Sequence, residues 1–355
     1  MAYLDGTLRQ RVIVFWRWFI THCASLQLKI DRGDCDAAAS QIGNQLESLG
    51  LPALCEVGRS DEKYYIMLCP CGSKTQQFVC RYWANMSPEI PNWSFRGFRR
   101  PLRAPQAELQ KMTGLPWNSA LFTVYSTADE EEQKYHLFVV SPVFQKRTEA
   151  ENIALCRMIF YLFLGEAYTE QFIGEIRCAT APEATPVGTR QTLEEFCETV
   201  RRAPVDNAWL FADDPTAVLM EYSRSDAEDD NGNLREDILV GLTAHPHLIA
   251  APEEESAELA AMGGVFCFFY YPATEQAAQD ARQAGALVSA IQHLMAASRL
   301  GYVIGRAHGT EYNYIDLFVA DEPRFRGLMS NPDTLFQVPM ALEYFGGCKS
   351  DAPLC

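Results

Sequence analysis

The sequence predicts an α+β protein of two domains, each a mainly antiparallel sheet packed against helices. Three observations predict it. The chain has 355 residues, beyond the size at which one hydrophobic core usually keeps growing. Its 48% hydrophobic and 21% charged residues are ordinary for globular proteins. Strand-like and helix-like periods also mix along it without a regular βαβ alternation, which disfavours a doubly wound sheet.

Val12, Phe15, Trp16, Phe19, Cys23 and Leu26 recur at three- and four-residue spacing and mark a first amphipathic helix. Cys35, Ile42, Leu46 and Leu49 repeat the pattern, and Gly50 with Pro52 supplies a stop. Strands are expected at 54–57, 64–68 and 93–98, around a helix at 76–85. Two further strands, 121–125 and 135–140, flank Asp129, Glu130, Glu131 and Glu132, a hairpin with a solvated acidic tip. A helix from 149 to 164, a strand at 172–178 and a helix at 193–201 complete the first domain, residues 1–202.

Periodicity lapses around Arg201 to Asp206, which places the boundary there and gives residues 203–355 to a second α+β domain, with a ferredoxin-like arrangement as one option. Strands at 217–222 and 238–243 flank a loop containing the turn dipeptide Asn231-Gly232. A short helix at 256–262, a strand at 265–271 and a long helix at 275–297 follow. Strands at 302–304 and 312–319 finish the sheet.

Composition excludes several functions. The formal net charge of −16 repels polyphosphate and anionic membrane surfaces. The apolar run after Arg9 and Arg11 breaks at Arg17, so no export signal is read. The apolar stretch 153–164 is shorter than the ~20 residues a membrane span requires. The twelve cysteines are spread through apolar segments and read as free thiols of a reducing, cytoplasmic compartment.

The motifs with chemical content are few. Cys69, Cys71 and Cys80 lack the second pair of a zinc ribbon, and His245-Pro-His247 lacks a local acid or thiol, so neither is assigned a metal. Setting Gly232 in the sixth position of a calcium loop puts Ala227 first and Ile238 twelfth, losing both carboxylates. No cofactor is assigned. Trp93, Phe95, Arg96, Phe98, Arg99, Arg100 and Arg103 interleave aromatics with cations as nucleic-acid binders do. Alternation nevertheless puts Trp93 and Phe95 opposite Arg96, as in any half-buried strand, so nucleic acid is disfavoured.

The densest polar cluster lies near the end of the chain. Gly301, Gly305 and Gly309 match no phosphate-binding loop and mark a bulge or close strand approach. Arg306, Tyr312 and Tyr314 are binding candidates. His308 is a candidate general base with Glu311 or Asp316 as its orienting acid, although alternation lets at most one of the two acids reach it.

The aromatic run Phe15-Trp16-Arg17-Trp18-Phe19, the stretch 65–72, the segment 91–98 and Leu164-Gly165-Glu166 resemble a bacterial protein family of unknown function in which an aromatic helix precedes a small α/β domain. The resemblance covers residues 10–200 and implies a fold, not an activity. Gly305-Arg306-Ala307-His308-Gly309 with Tyr312, Tyr314 and Asp316 is loosely similar to the small acidic α/β inhibitors of bacterial ribonuclease E.

The functional expectation is a cytoplasmic, non-enzymatic binding or regulatory protein. Its acidic loops, Asp129 to Glu132, Asp226 to Asp230 and Glu253 to Glu255, would face a basic protein partner. The alternative is a hydrolase or transferase with an inter-domain site around His308.

Overall fold

The computed structural model describes residues 5–60, 63–70, 72–114, 116, 118, 121–182, 186–223, 235–274 and 277–347. The fold is α+β, as predicted. The chain first runs through α1 (Leu8–Asp31), α2 (Cys35–Ser48), β1 (Cys55–Ser60), β2 (Lys63–Leu68), α3 (Lys74–Asn85) and β3 (Trp93–Arg96). α1 starts where Thr7 and Gln10 form a reciprocal capping box, which satisfies amide groups that a helix N-terminus otherwise leaves unpaired. Its stripe of Leu8, Val12, Phe15, Phe19 and Leu26 is fully buried, each large side chain contributing about 2 kcal/mol. β1 and β2 pair antiparallel, and β3 joins β2 in parallel.

The middle of the chain forms α4 (Pro105–Thr113), β4 (Thr123–Asp129), β5 (Lys134–Val140), α5 (Glu149–Phe172), β6 (Ile173–Ala179), β7 (Thr189–Thr192) and α6 (Leu193–Asp206). The expected acidic hairpin is present: β4 and β5 are antiparallel, and Asp129 accepts the Glu131 and Glu132 amides at its tip. The sheet order is β6-β5-β4-β7, with β6 parallel to β5 because α5 serves as the crossover. α5 breaks at Gly165, whose φ of 79° and ψ of 171° suit glycine. A side chain there would also meet Arg99 O and Pro101.

The last part comprises β8 (Met220–Ser223), β9 (Ile238–Thr243), α7 (Pro246–Ala250), α8 (Pro252–Ala261), β10 (Val265–Pro272), α9 (Ala277–Ser298), β11 (Gly301–Gly309), β12 (Tyr312–Val319), α10 (Glu322–Leu328), α11 (Pro332–Phe336) and β13 (Ala341–Tyr344). They build a six-stranded sheet of order β13-β10-β12-β11-β9-β8, antiparallel at every pairing. β10 and β12 are apolar at nearly every position because both sheet faces are covered. On one face Cys267, Phe269, Ile315 and Leu317 pack with Leu287, Ile291 and Met295 of α9. On the other, Phe266, Phe268, Tyr314 and Phe318 join the core formed with α1, α2 and α3.

That second face corrects the expected boundary between residues 202 and 203. The chain divides instead into a unit of residues 1–97 with 216–355, and an inserted unit of residues 98–215. The opening helices do not close a core of their own. They cover the sheet that the end of the chain builds, with Leu8 N donating to Gly263 O (2.7 Å) and Arg9 N to Ala320 O (2.9 Å).

Candidate functional site

The six-stranded sheet carries three polar groupings. The first is closed. Arg235 and Asp316 form an ion pair at 3.0 Å with side chains only 4% and 0% exposed. Arg235 also donates to the Tyr222 hydroxyl (2.9 Å) and lies over the rings of Phe268, Tyr314 and Phe345 at 4.9–5.1 Å. Burial alone would lower the guanidinium pKa, but the adjacent Asp316 carboxylate reverses this and raises it. Gly305 makes room for the pair, since a Cβ there would stand 2.8 Å from the Asp316 carboxylate. Nearby, Asp237 accepts the Glu311 and Tyr312 amides (2.8 and 2.9 Å) and the Tyr314 hydroxyl, pinning the β11–β12 turn. Gly309 packs against that same Asp237 carboxylate.

The second grouping joins residues far apart in the chain. His245 caps α7: its Nδ1 accepts the Leu248 amide at 3.2 Å, which leaves the ring proton on Nε2. That N–H faces Thr75 Oγ1 at 2.8 Å, and the Thr75 hydroxyl donates to Glu255 Oε2 at 2.5 Å. Glu255 Oε2 is itself 3.3 Å from His245 Nε2. Burial lowers the His245 pKa, Glu255 opposing it. The hydrogen bond from His245 in turn holds the Glu255 carboxyl below its usual range. A neutral imidazole thus donates toward an ionised carboxylate through a threonine. The composition resembles a nucleophile–base–acid triad, but the polarity is reversed: the nitrogen facing Thr75 is already protonated and cannot take its proton.

The third surrounds His308, half-buried on the α9 face of β11. Its Nδ1 is 2.8 Å from Asn313 Oδ1 and 4.0 Å from Asp280 Oδ2. Asp280, in the first turn of α9, accepts the Thr274 amide (2.9 Å) and hydroxyl (2.8 Å). Burial pushes the Asp280 pKa up, but those two bonds, with His308 and Asn313 beside them, hold it below the usual range. Tyr271 and Asn313 are paired across the strands at this point, and the buried Tyr271 hydroxyl has no hydrogen-bond partner among the described residues.

The predicted set is therefore not assembled. Neither Glu311 nor Asp316 supports His308: Glu311 is exposed at the turn, and Asp316 points to the opposite face, where Arg235 holds it. The acid beside His308 is Asp280, which a helix supplies. Arg306 is exposed on the same face as His308, whereas Tyr312 packs edge-on against Tyr270 at 5.2 Å. Arg96 stands over the Tyr65 ring at 5.9 Å, and the Arg99 amide donates to buried Glu166 at 2.6 Å. Arg100 lies in the inserted unit with Arg99. Trp93 and Phe95 pack against Phe19 at 5.0 and 5.4 Å, so these rings are core and not a platform for bases. Thr75, Arg235 and Asp280 are not singled out by the sequence because each lies far along the chain from its partner and none sits in a recognisable spacing. Glu255, expected in an acidic loop open to a partner, instead lies in the first turn of α8 and is held by Thr75 and His245.

His245-Pro-His247 is a helix start, with His247 exposed and His245 buried. Cys71 and residues 224–234, where a loop with an Asn231-Gly232 turn is expected, lie outside the described residues. Among the described residues no three His, Cys, Asp or Glu side chains gather as a metal-binding group. No helix among them is long and apolar enough to cross a membrane. Compared with known protein families, curated proteins and solved structures, the chain matches none.

Proposed function

We propose that the chain is a non-enzymatic, cytoplasmic binding protein that takes an extended basic segment of a partner protein along the β8 end of its six-stranded sheet. The observation that carries this reading is the apolar exposure of the β8–β9 pair: Leu219, Met220, Leu239 and Val240 are 51%, 42%, 54% and 41% exposed. β8 is the outermost described strand on that side. Outer strands with exposed apolar side chains invite an added strand, and natural proteins usually protect them. The segment between these two strands carries Asp226, Glu228, Asp229, Asp230 and Glu236 in sequence, which with a net charge of −16 favours a cationic partner.

The catalytic alternative finds less support. An amide and a carboxylate surround His308, a set that orients an imidazole, and the Thr274 hydroxyl is already committed to Asp280. The test uses a fluorescent peptide of alternating lysine and valine, with a glutamate–valine peptide as its control. The basic peptide is expected to bind at low salt, to protect the amides of residues 219–223 from hydrogen exchange, and to weaken at least tenfold in Met220→Lys/Leu239→Lys. Equal binding of the acidic peptide, or unchanged binding by a folded double variant, would overturn the proposal.

A further inference from the structure

We infer that Cys156 and Cys178 form a reversible disulfide site within the inserted unit, oxidised by a hydroperoxide and reset by a dithiol. The two Sγ atoms are 3.6 Å apart, one on α5 and the other on β6. A disulfide needs about 2.0 Å, a closure within reach of side-chain rotation. The two thiols differ in access: Cys156 is only 2% exposed, whereas Cys178 is half-buried on the outermost described strand of its sheet. Hydrogen bonding from the Cys156 thiol lowers the Cys178 pKa, and the same bond with burial raises that of Cys156. Cys178 is therefore the thiol that ionises and meets the oxidant first.

The chemistry balances. The Cys178 thiolate attacks the distal peroxide oxygen, the O–O bond breaks, and the alcohol or water leaves with the electron pair and a proton, giving a sulfenic acid. The Cys156 sulfur then attacks the Cys178 sulfur. The S–O bond breaks, water departs with the Cys156 proton, and the S–S bond forms. Two thiols are oxidised by two electrons and one hydroperoxide is reduced. The new bond fastens the crossover helix α5 to the strand that follows it, so oxidation rigidifies the β6 end of the four-stranded sheet.

The full chain is treated with hydrogen peroxide, remaining thiols are alkylated, and peptides are mapped by mass spectrometry without reduction. The expected result is one cross-linked peptide pair joining Cys156 to Cys178, loss of two of the twelve thiols, and full recovery with dithiothreitol. In Cys156→Ser the reaction should stop at Cys178 sulfenic acid, trapped by dimedone, while Cys178→Ser should give no dimedone adduct at Cys156. Wild-type titration in glutathione buffers reads the same bond without either variant. Both cysteines remaining alkylatable while other thiols are consumed, or a disulfide between other positions, would overturn the inference.

Discussion

The two faces of the six-stranded sheet treat polar side chains differently. On the face covered by α1 and α3, His245 stacks on Phe78 (5.9 Å) and meets Phe266 edge-on (5.2 Å), while Arg235 and Asp316 are boxed by aromatic rings. Arg235 is paired with Asp316 and His245 with Glu255, each inside packed surroundings. On the α9 face, His308 sits where helix cover runs out, 32% exposed by its side chain, next to an exposed Arg306. Closed polar groups fix a structure through desolvation. Groups left in reach of water are held more loosely and are free to meet something else. The same chemical types, a histidine near a carboxylate on each face, thus serve different ends.

Breaking the Arg235–Asp316 pair gives the largest expected effect. Asp316→Ala leaves a buried guanidinium without its counter-charge and should cost about 3–5 kcal/mol of unfolding free energy, read by urea denaturation. The double replacement Arg235→Met/Asp316→Leu, which removes both charges, should recover most of that loss. A single variant as stable as the wild type would show that water reaches the pair and that the two faces do not differ in this respect.

Local period made most elements legible, and long-range packing did not. The strand over 238–243 coincides with β9, and the stripe of α1 follows directly from Val12, Phe15 and Phe19. The helix expected to end at 164 breaks at Gly165 but resumes to Phe172, because a left-handed glycine interrupts without terminating. The pattern of α1 reveals that it must cover a sheet, but not that the sheet lies more than two hundred residues downstream, and the boundary near 202 was misplaced for that reason. Alternation places Glu311 and Asp316 on opposite faces; Asp316 does turn away from His308 to Arg235, whereas Glu311 lies at the turn before β12 begins. Alternation had no means of bringing Asp280, at a helix start, to His308, or Glu255 to a threonine 180 positions away. Short turns such as α7 and α10 lack a full amphipathic repeat and were not foreseen.

His245 sharpens the comparison through pH. In the unfolded chain it titrates near its ordinary pKa of about 6.5, whereas in the folded protein burial lowers that value. Between the two, the unfolded state binds a proton that the folded state refuses, so stability is retained above about pH 6.5 and declines as pH falls below it. His245→Gln keeps an amide donor toward Thr75 but removes the titration. It should cost about 1–3 kcal/mol at neutral pH and flatten the decline on acidification. An undiminished slope in that variant would assign the pH response to other groups.

His308 should give the smallest effect on stability. Its partner atoms, Asn313 Oδ1 and the more distant Asp280, keep other partners or can be reached by water where the ring is removed, since the ring itself already borders solvent. His308→Ala is therefore expected to change unfolding free energy by about 0.5–1 kcal/mol, measured in parallel with Asp316→Ala. Asp280→Ala is the harder test of the same corner, because it frees the Thr274 amide and hydroxyl together and should destabilise the start of α9 more than loss of the imidazole does. If His308→Ala instead proved as damaging as Asp316→Ala, the α9 face would be as tightly closed as its opposite, and the contrast between the two faces would fail.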